Sequence, residues 1–228
     1  MATSGTTAFD MNFTEIAEEA WERAGSEMRS GYDLRTARRS MNLLTIEWQN
    51  RGINLWTIDS GTVALTTGTS QYTLPSDTID LLEQAIRTNS GSTTSQSDIN
   101  ISRISVSTFA SIPNKLSRGR PIQVWIERLV DAPRINVWPV PDSTDYTFVY
   151  WRMRRIEDAG GGVETADMNF RFLPCLVAGL AYNIAMKSPA LAPRIEMLKA
   201  DYEFHFNLAA GEDREKSSAR FVPRISRI

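Results

Sequence analysis

Apolar residues recur at steps of three and four close to the start of the chain. Phe13, Ile16, Ala17, Ala20, Trp21 and Ala24 share one helical face, with Glu15, Glu18, Glu19 and Glu22 on the other. Asn12 can cap this helix, the acidic residues suit its early turns, and Gly25 can stop it. A second helix is predicted from Asp33 as cap, through Leu34, Ala37, Arg38, Met41, Leu43, Leu44 and Trp48 to Asn50, with Gly52 beyond. It carries Arg35, Arg38 and Arg39 early and Glu47 late, the reverse of what the helix dipole favours. The arginines therefore form either a solvated basic face or a set that answers to a group outside the helix.

From Leu55 the period shortens to two. Residues 55–58, 62–66 and 71–74 are runs of β-branched and aromatic residues, with Gly61 and Gly68 as breaks and Pro75 as terminator. Ile79 to Arg87 reads as a further strand, and residues 88–97 as a polar loop. A short helical turn fits Ser107 to Ile112, capped by Ser105 or Ser107. A β-meander is predicted over Ile122–Leu129, Arg134–Trp138 and Tyr146–Met153, joined by Asp-Ala-Pro and Pro-Asp-Ser-Thr turns. Alternation on its third strand puts Val149, Trp151 and Met153 on one side and Tyr150, Arg152 and Arg154 on a cationic other side. Gly160, Gly161 and Gly162 read as a hinge. Helical spacing then returns, first from Pro174 through Leu176, Val177, Leu180, Ala181, Ile184 and Ala185 to a stop at Ser188-Pro189. The last helix carries Ile195, Leu198, Tyr202, Phe206 and Ala209 and is expected to end at Gly211.

Together these elements predict an α+β fold. An antiparallel helical bundle is built from the N- and C-terminal helices (residues 1–53 and 163–211). An antiparallel β-rich module (54–162) is inserted into it, and an extended arm (212–228) follows.

Composition narrows the chemistry. The chain has 228 residues, 42% of them hydrophobic, enough for one or two real cores. One Cys cannot close an intrachain disulfide or assemble a zinc or iron–sulfur site, and one His leaves His205 as the sole histidine base. No metal or cofactor is expected. The formal net charge of −2 supplies no global cationic field for nucleic acid. The first ten residues lack a basic start and an apolar run, so no secretory leader is expected, and Phe172 to Met186 is too short to span a bilayer.

Candidate chemical groups read as structural. His205 has no nucleophile motif to serve, and Cys175 sits in an apolar helix without cationic neighbours. The glycine triplet lacks the Lys-Ser/Thr of a phosphate loop. Paired carboxylates around it, Glu157, Asp158 and Glu164, leave glycoside hydrolysis as an alternative of little specificity. The segment Tyr150–Arg155 and the basic loop Lys115–Arg120 leave non-specific DNA binding as another, weakened because alternation separates Trp151 from the arginines. The C-terminus carries more information. Its alternating basic and apolar residues include Phe221, Val222, Ile225 and Ile228, costly to leave in water at about 1.5–3 kcal/mol per buried large side chain. An arm that adds to a partner's groove or sheet edge accounts for them.

The run Leu208-Ala-Ala-Gly-Glu-Asp-Arg-Glu215, followed by Ser217-Ser-Ala-Arg-Phe-Val-Pro-Arg-Ile225, resembles the C-terminal end of head-to-tail adaptors of short-tailed bacteriophages, the tail tubular protein A type. The order of other segments is similar too: Trp48-Gln-Asn-Arg-Gly52, Tyr72-Thr-Leu-Pro75 and Trp138-Pro-Val-Pro141. The resemblance implies a structural virion protein without enzymatic activity, assembled in the host cytoplasm as a ring of typically twelve copies at the head–tail interface. It implies a portal protein above, a tail nozzle protein below, and double-stranded DNA passing through the lumen without sequence-specific binding. By position it assigns portal binding to Arg214, Arg220, Phe221, Val222, Pro223, Arg224 and Ile225.

Overall fold

A computed structural model describes residues 5–213. Of these, residues 5–55 together with 156–213 form one compact unit, and Trp56–Arg155 form another. The fold is mixed helix and strand with largely antiparallel sheets, the α+β class that the patterning predicts.

The helical unit holds α1 (Phe13–Ala24), α2 (Gly31–Asn50), α4 (Leu173–Ala185) and α5 (Ile195–Glu212). Helix α1 begins as expected. The Asn12 side chain accepts from Glu15 N, Glu15 reaches back to Asn12 N, and left-handed Gly25 ends the helix. Helix α2 starts earlier than the spacing implied. Ser30 is its cap, and Asp33 is the third residue of the same capping box, bonding back to Ser30 N. Leu43, grouped with the apolar positions, points outward instead.

Ten of the thirteen residues of α4 are buried, and it is the axis on which the others pack. Gly179 makes this possible, because a Cβ there would strike Leu44 and Tyr202. Lys187 donates to Ser40 Oγ and the Trp48 ring meets Phe172, so α2 and α4 run antiparallel. Trp48 is fully buried, and its Nε1 donates to Tyr202 Oη at 3.0 Å.

The glycine triplet is no hinge. Gly162 O accepts from Thr14 N and Thr14 Oγ1, Gly161 O accepts from Arg38, and Asn42 Oδ1 accepts from Ala159 N. Residues 156–162, grouped with the insert by their sequence, are thereby held to the helical unit.

The other unit is a sandwich of two four-stranded sheets. One has the order β1 (Ile58–Ala64), β8 (Tyr146–Arg154), β3 (Thr78–Thr88), β4 (Ser97–Asn100). The other has the order β2 (Gln71–Thr73), β7 (Arg134–Trp138), β6 (Gln123–Glu127), β5 (Ser102–Arg103). All pairs are antiparallel except β5–β6. The inner faces share one core that includes Leu81, Ile86, Phe148 and Tyr150 from the first sheet and Val124, Ile126, Ile135 and Val137 from the second. The short α3 (Val106–Ser111), capped by Ser105, lays Phe109 on Trp125, ring centroids 5.1 Å apart.

Three expectations fail here. Gly61 does not break a strand: β1 runs through it, and the missing side chain makes room for Tyr150, its partner across the β1–β8 ladder. The three-stranded meander does not form, because β6 and β7 pair with each other while β8 joins the opposite sheet between β1 and β3. The cationic side of β8 is also the core side. Phe148 and Tyr150 fill the sandwich and Trp151 is the exposed one.

Arg152 closes that core face. Its side chain is 11% exposed and donates to Asp59 (2.8 Å from Nε), Asp77 (2.5 Å from Nη1) and Thr78 Oγ1 (2.8 Å). These bonds outweigh burial and raise the guanidinium pKa, and the hydrogen bond from Arg152 holds the Asp77 carboxyl below its ordinary value. An acid whose folded pKa is depressed contributes stability above its unfolded pKa and loses it as pH falls through the folded one. The sandwich should therefore weaken as pH drops below about 4. Arg152→Met should lower its stability more at pH 7 than at pH 3, a difference that urea unfolding at the two pH values would measure.

Candidate functional site

The residues assigned to portal binding, Arg214, Arg220, Phe221, Val222, Pro223, Arg224 and Ile225, lie outside the described residues. What the structure describes is the root from which they continue. Gly211 does not stop α5; the helix runs on to Glu212, and Asp213 N still bonds Ala209 O at 3.1 Å. Acidic residues at a helix C-terminus oppose the dipole, so both need outside partners. Glu212 Oε2 takes Arg171 Nη1 at 3.0 Å, from a 3₁₀ turn (Phe170–Phe172) just ahead of α4. Asp213 Oδ2 accepts from Asn54 N at 3.0 Å, and burial raises its carboxyl pKa against the pull of that bond and one from Leu55 N. The start of the arm is thus tied both to the segment after α2 and to the entry of α4.

A second surface lies on α2. Of its three arginines, Arg38 turns inward, its guanidinium 5.8 Å from the Phe13 ring and its Nη2 donating to Gly161 O at 3.0 Å. Arg35 and Arg39 stay exposed on the outer face beside Tyr32, and Arg39 Nη2 donates to Thr36 Oγ1 at 3.5 Å. Neither has a carboxylate within 4 Å among the described residues. The dipole conflict noted in the sequence is answered for Arg38 by Gly161 and the Phe13 ring, and for the other two no such answer lies among the described residues.

The chemical candidates occupy structural positions. His205, partly exposed on α5, sits 3.6 Å from Asp201 and edge-on to Phe204, neither a hydroxyl nor a thiol that an imidazole base would activate. Cys175 is buried in α4, and burial pushes its thiol up to about 12, far from a reactive thiolate. The Glu164 carboxylate accepts from Gly162 N at 3.0 Å, and backbone hydrogen bonds hold its pKa low. Among the described residues, no three His, Cys, Asp or Glu lie together as a metal site would require, and no helix is long and apolar enough to cross a membrane.

Residues 11–224 match a family model described as SU10 adaptor protein. The chain belongs to the SU10 adaptor protein family. No curated protein matches it. The family assignment makes the chain a structural adaptor of a bacteriophage and a component of the virion, in agreement with the resemblance to head-to-tail adaptors. For this SU10 adaptor family member, patterning missed the anchoring residues Arg171, Asn54 and Asp213. A signal for them was present in the sequence, since Glu212 and Asp213 follow a long helix at its electronegative end.

Proposed function

We propose that the chain is a ring-forming head-to-tail adaptor that joins the portal to the tail nozzle and lines the passage through which the genome is ejected. The observation that carries this reading is the family match over residues 11–224, which includes most of the arm. The pinned root at Glu212 and Asp213 supports the arm's part in it, since a peptide leaving a fixed point loses less freedom on docking than one leaving a frayed helix. Arg214, Arg220, Phe221, Val222, Pro223, Arg224 and Ile225 would occupy clefts of the portal. Repetition around a ring, with twelve copies as the reading has it, multiplies a modest contact into firm attachment. A formal net charge of −2 suits a duct that must release duplex DNA rather than hold its phosphates. The chain's work in this reading is docking, without catalysis or cofactor.

Co-sedimentation with portal rings of the same phage tests the arm. The full chain should pellet with the rings, and a chain ending at residue 213 should remain in the supernatant. Undiminished binding of the shortened chain would remove portal contact from the arm.

A further inference from the structure

Helix α5 is apolar on two opposite faces. Its inner face buries Leu198, Tyr202, Phe206 and Ala209. On the far side lie Met197, Ala200, Phe204, Asn207, Leu208 and Gly211, all exposed and none charged, with Met197, Phe204 and Leu208 each more than half accessible. A helix that stays in water on one side normally makes that side polar. This one is composed as if both sides were covered. Glu196 stands exposed at the N-terminal end of this stripe with no basic partner within 4 Å among the described residues; Lys199, also exposed, lies to one side of it.

Helix α2 carries the complement. Its outer stripe reads Tyr32, Arg35, Arg39, Leu43 and Ile46, exposed throughout, with the two arginines, which have no carboxylate partner among the described residues, ahead of the two aliphatics. Both stripes therefore run from charged to apolar, with opposite charges. The spacing agrees as well. From Arg39 to Ile46 is about 10.5 Å along a helix, and from Glu196 to Phe204 about 12 Å. The direction also fits. Trp48 meets Tyr202, Arg51 stacks on Phe206, and Asn54 bonds Asp213, so partner numbers rise together and the two helices point the same way within one copy. A small rotation from copy to copy in a ring preserves that sense.

We infer that the outer stripe of α2 in one copy packs against the outer stripe of α5 in the next, Arg39 facing Glu196 and Ile46 facing Phe204. This rests on the ring reading and says which two faces build the ring. The contact is heterologous, each copy using one stripe toward each neighbour, so it propagates until the ring closes. Duplex DNA is the competing occupant for the arginines, but a phosphate backbone gives no partner to Leu43 and Ile46 on the same stripe, whereas a second α5 does.

The test uses the full chain, alone at rising concentration and bound to portal rings of the same phage. Ile46→Cys and Phe204→Cys placed together in one chain should, on oxidation, give a ladder of disulfide-linked trimers and larger species, and either change alone should give none. A ladder that stops at dimers, or a cross-link to the portal in its place, would overturn the assignment. Arg39→Glu should weaken self-association at least tenfold by sedimentation velocity with an unchanged circular dichroism spectrum, and adding Glu196→Arg in the same chain should restore it. Rings that form normally with Phe204→Asp would overturn the interface while leaving the ring reading intact. Arg39→Glu losing duplex DNA binding with association unaltered would give those arginines to DNA and overturn it too. An unaltered chain that forms no multimer under either condition would overturn the ring reading and the interface together.

Discussion

Replacing Trp48 with alanine should lower the stability of the helical unit by about 3–5 kcal/mol. Trp48 is fully enclosed between α2, α4 and α5, its ring 5.8 Å from that of Phe172. Its Nε1 donates to Tyr202 Oη, which in turn donates to Glu47 Oε1 at 3.3 Å. Burial raises the Tyr202 phenol's pKa, which keeps that hydroxyl protonated and able to serve both neighbours. Truncation removes the largest fully buried side chain of the bundle and leaves the Tyr202 hydroxyl one partner short. Small domains hold only about 5–15 kcal/mol in total, so the loss is a large share. Guanidinium unfolding followed by helical circular dichroism would measure it. Tyr202→Phe, which keeps the volume and deletes the hydroxyl, should cost about 1–3 kcal/mol by leaving the indole N–H unpaired. Equal losses for the two variants would show that the hydrogen bond, and not the packed ring, holds these helices.

In the sandwich, Gly61→Val should cost about 1–3 kcal/mol, although valine is the better strand former. Gly61 faces Tyr150 across the β1–β8 ladder, and any Cβ at that position would overlap the outer end of the Tyr150 ring. The ring is buried in the shared core and bounded there by Phe148, 5.7 Å away centroid to centroid. It has little room to retreat. Tyr150→Leu vacates the space, so the double variant should lose clearly less than the sum of the single losses, the mark of two residues in contact. Strict additivity in urea unfolding would show that the constraint on Gly61 comes from elsewhere.

These two sites show where sequence pattern sufficed and where it did not. Helix α1 was legible to the residue because its cap, its apolar period and its terminating glycine all lie within fourteen positions and agree. At the start of α2 two capping residues three apart, Ser30 and Asp33, belong to one reciprocal motif, and periodicity alone chose the inner one. Gly61 misled because a glycine in a strand reads the same whether the chain turns there or another side chain passes close by. The two faces of β8 were separated correctly, and Val149 is buried as read, but the Tyr150 face, read as outward, is the one that fills the sandwich. Arg152 looks like a surface residue until Asp59 on β1 and Asp77 in the turn ahead of β3 arrive to neutralise it. The docking candidates were harder to see. Arg35, Arg38 and Arg39 stood out by conflict with the dipole, but which of them stays free depends on Gly161, more than a hundred residues away. The outer stripe of α5 escaped notice because apolar residues on two opposite faces of a helix leave little contrast between them.

The antiparallel pairing of β1 with β8 has a consequence for how the chain finds its fold. The helical unit is assembled from two pieces of sequence with about a hundred residues between them, and joining the ends of so long a loop costs about 4 kcal/mol of chain entropy. Ile58 and Met153 are direct neighbours in the β1–β8 ladder, so a sandwich that has already formed brings the two stumps of the helical unit to within a few residues of each other. The order this favours is sandwich before bundle. To the helices, the folded insert is then a short, stiff connector in place of a long floppy one.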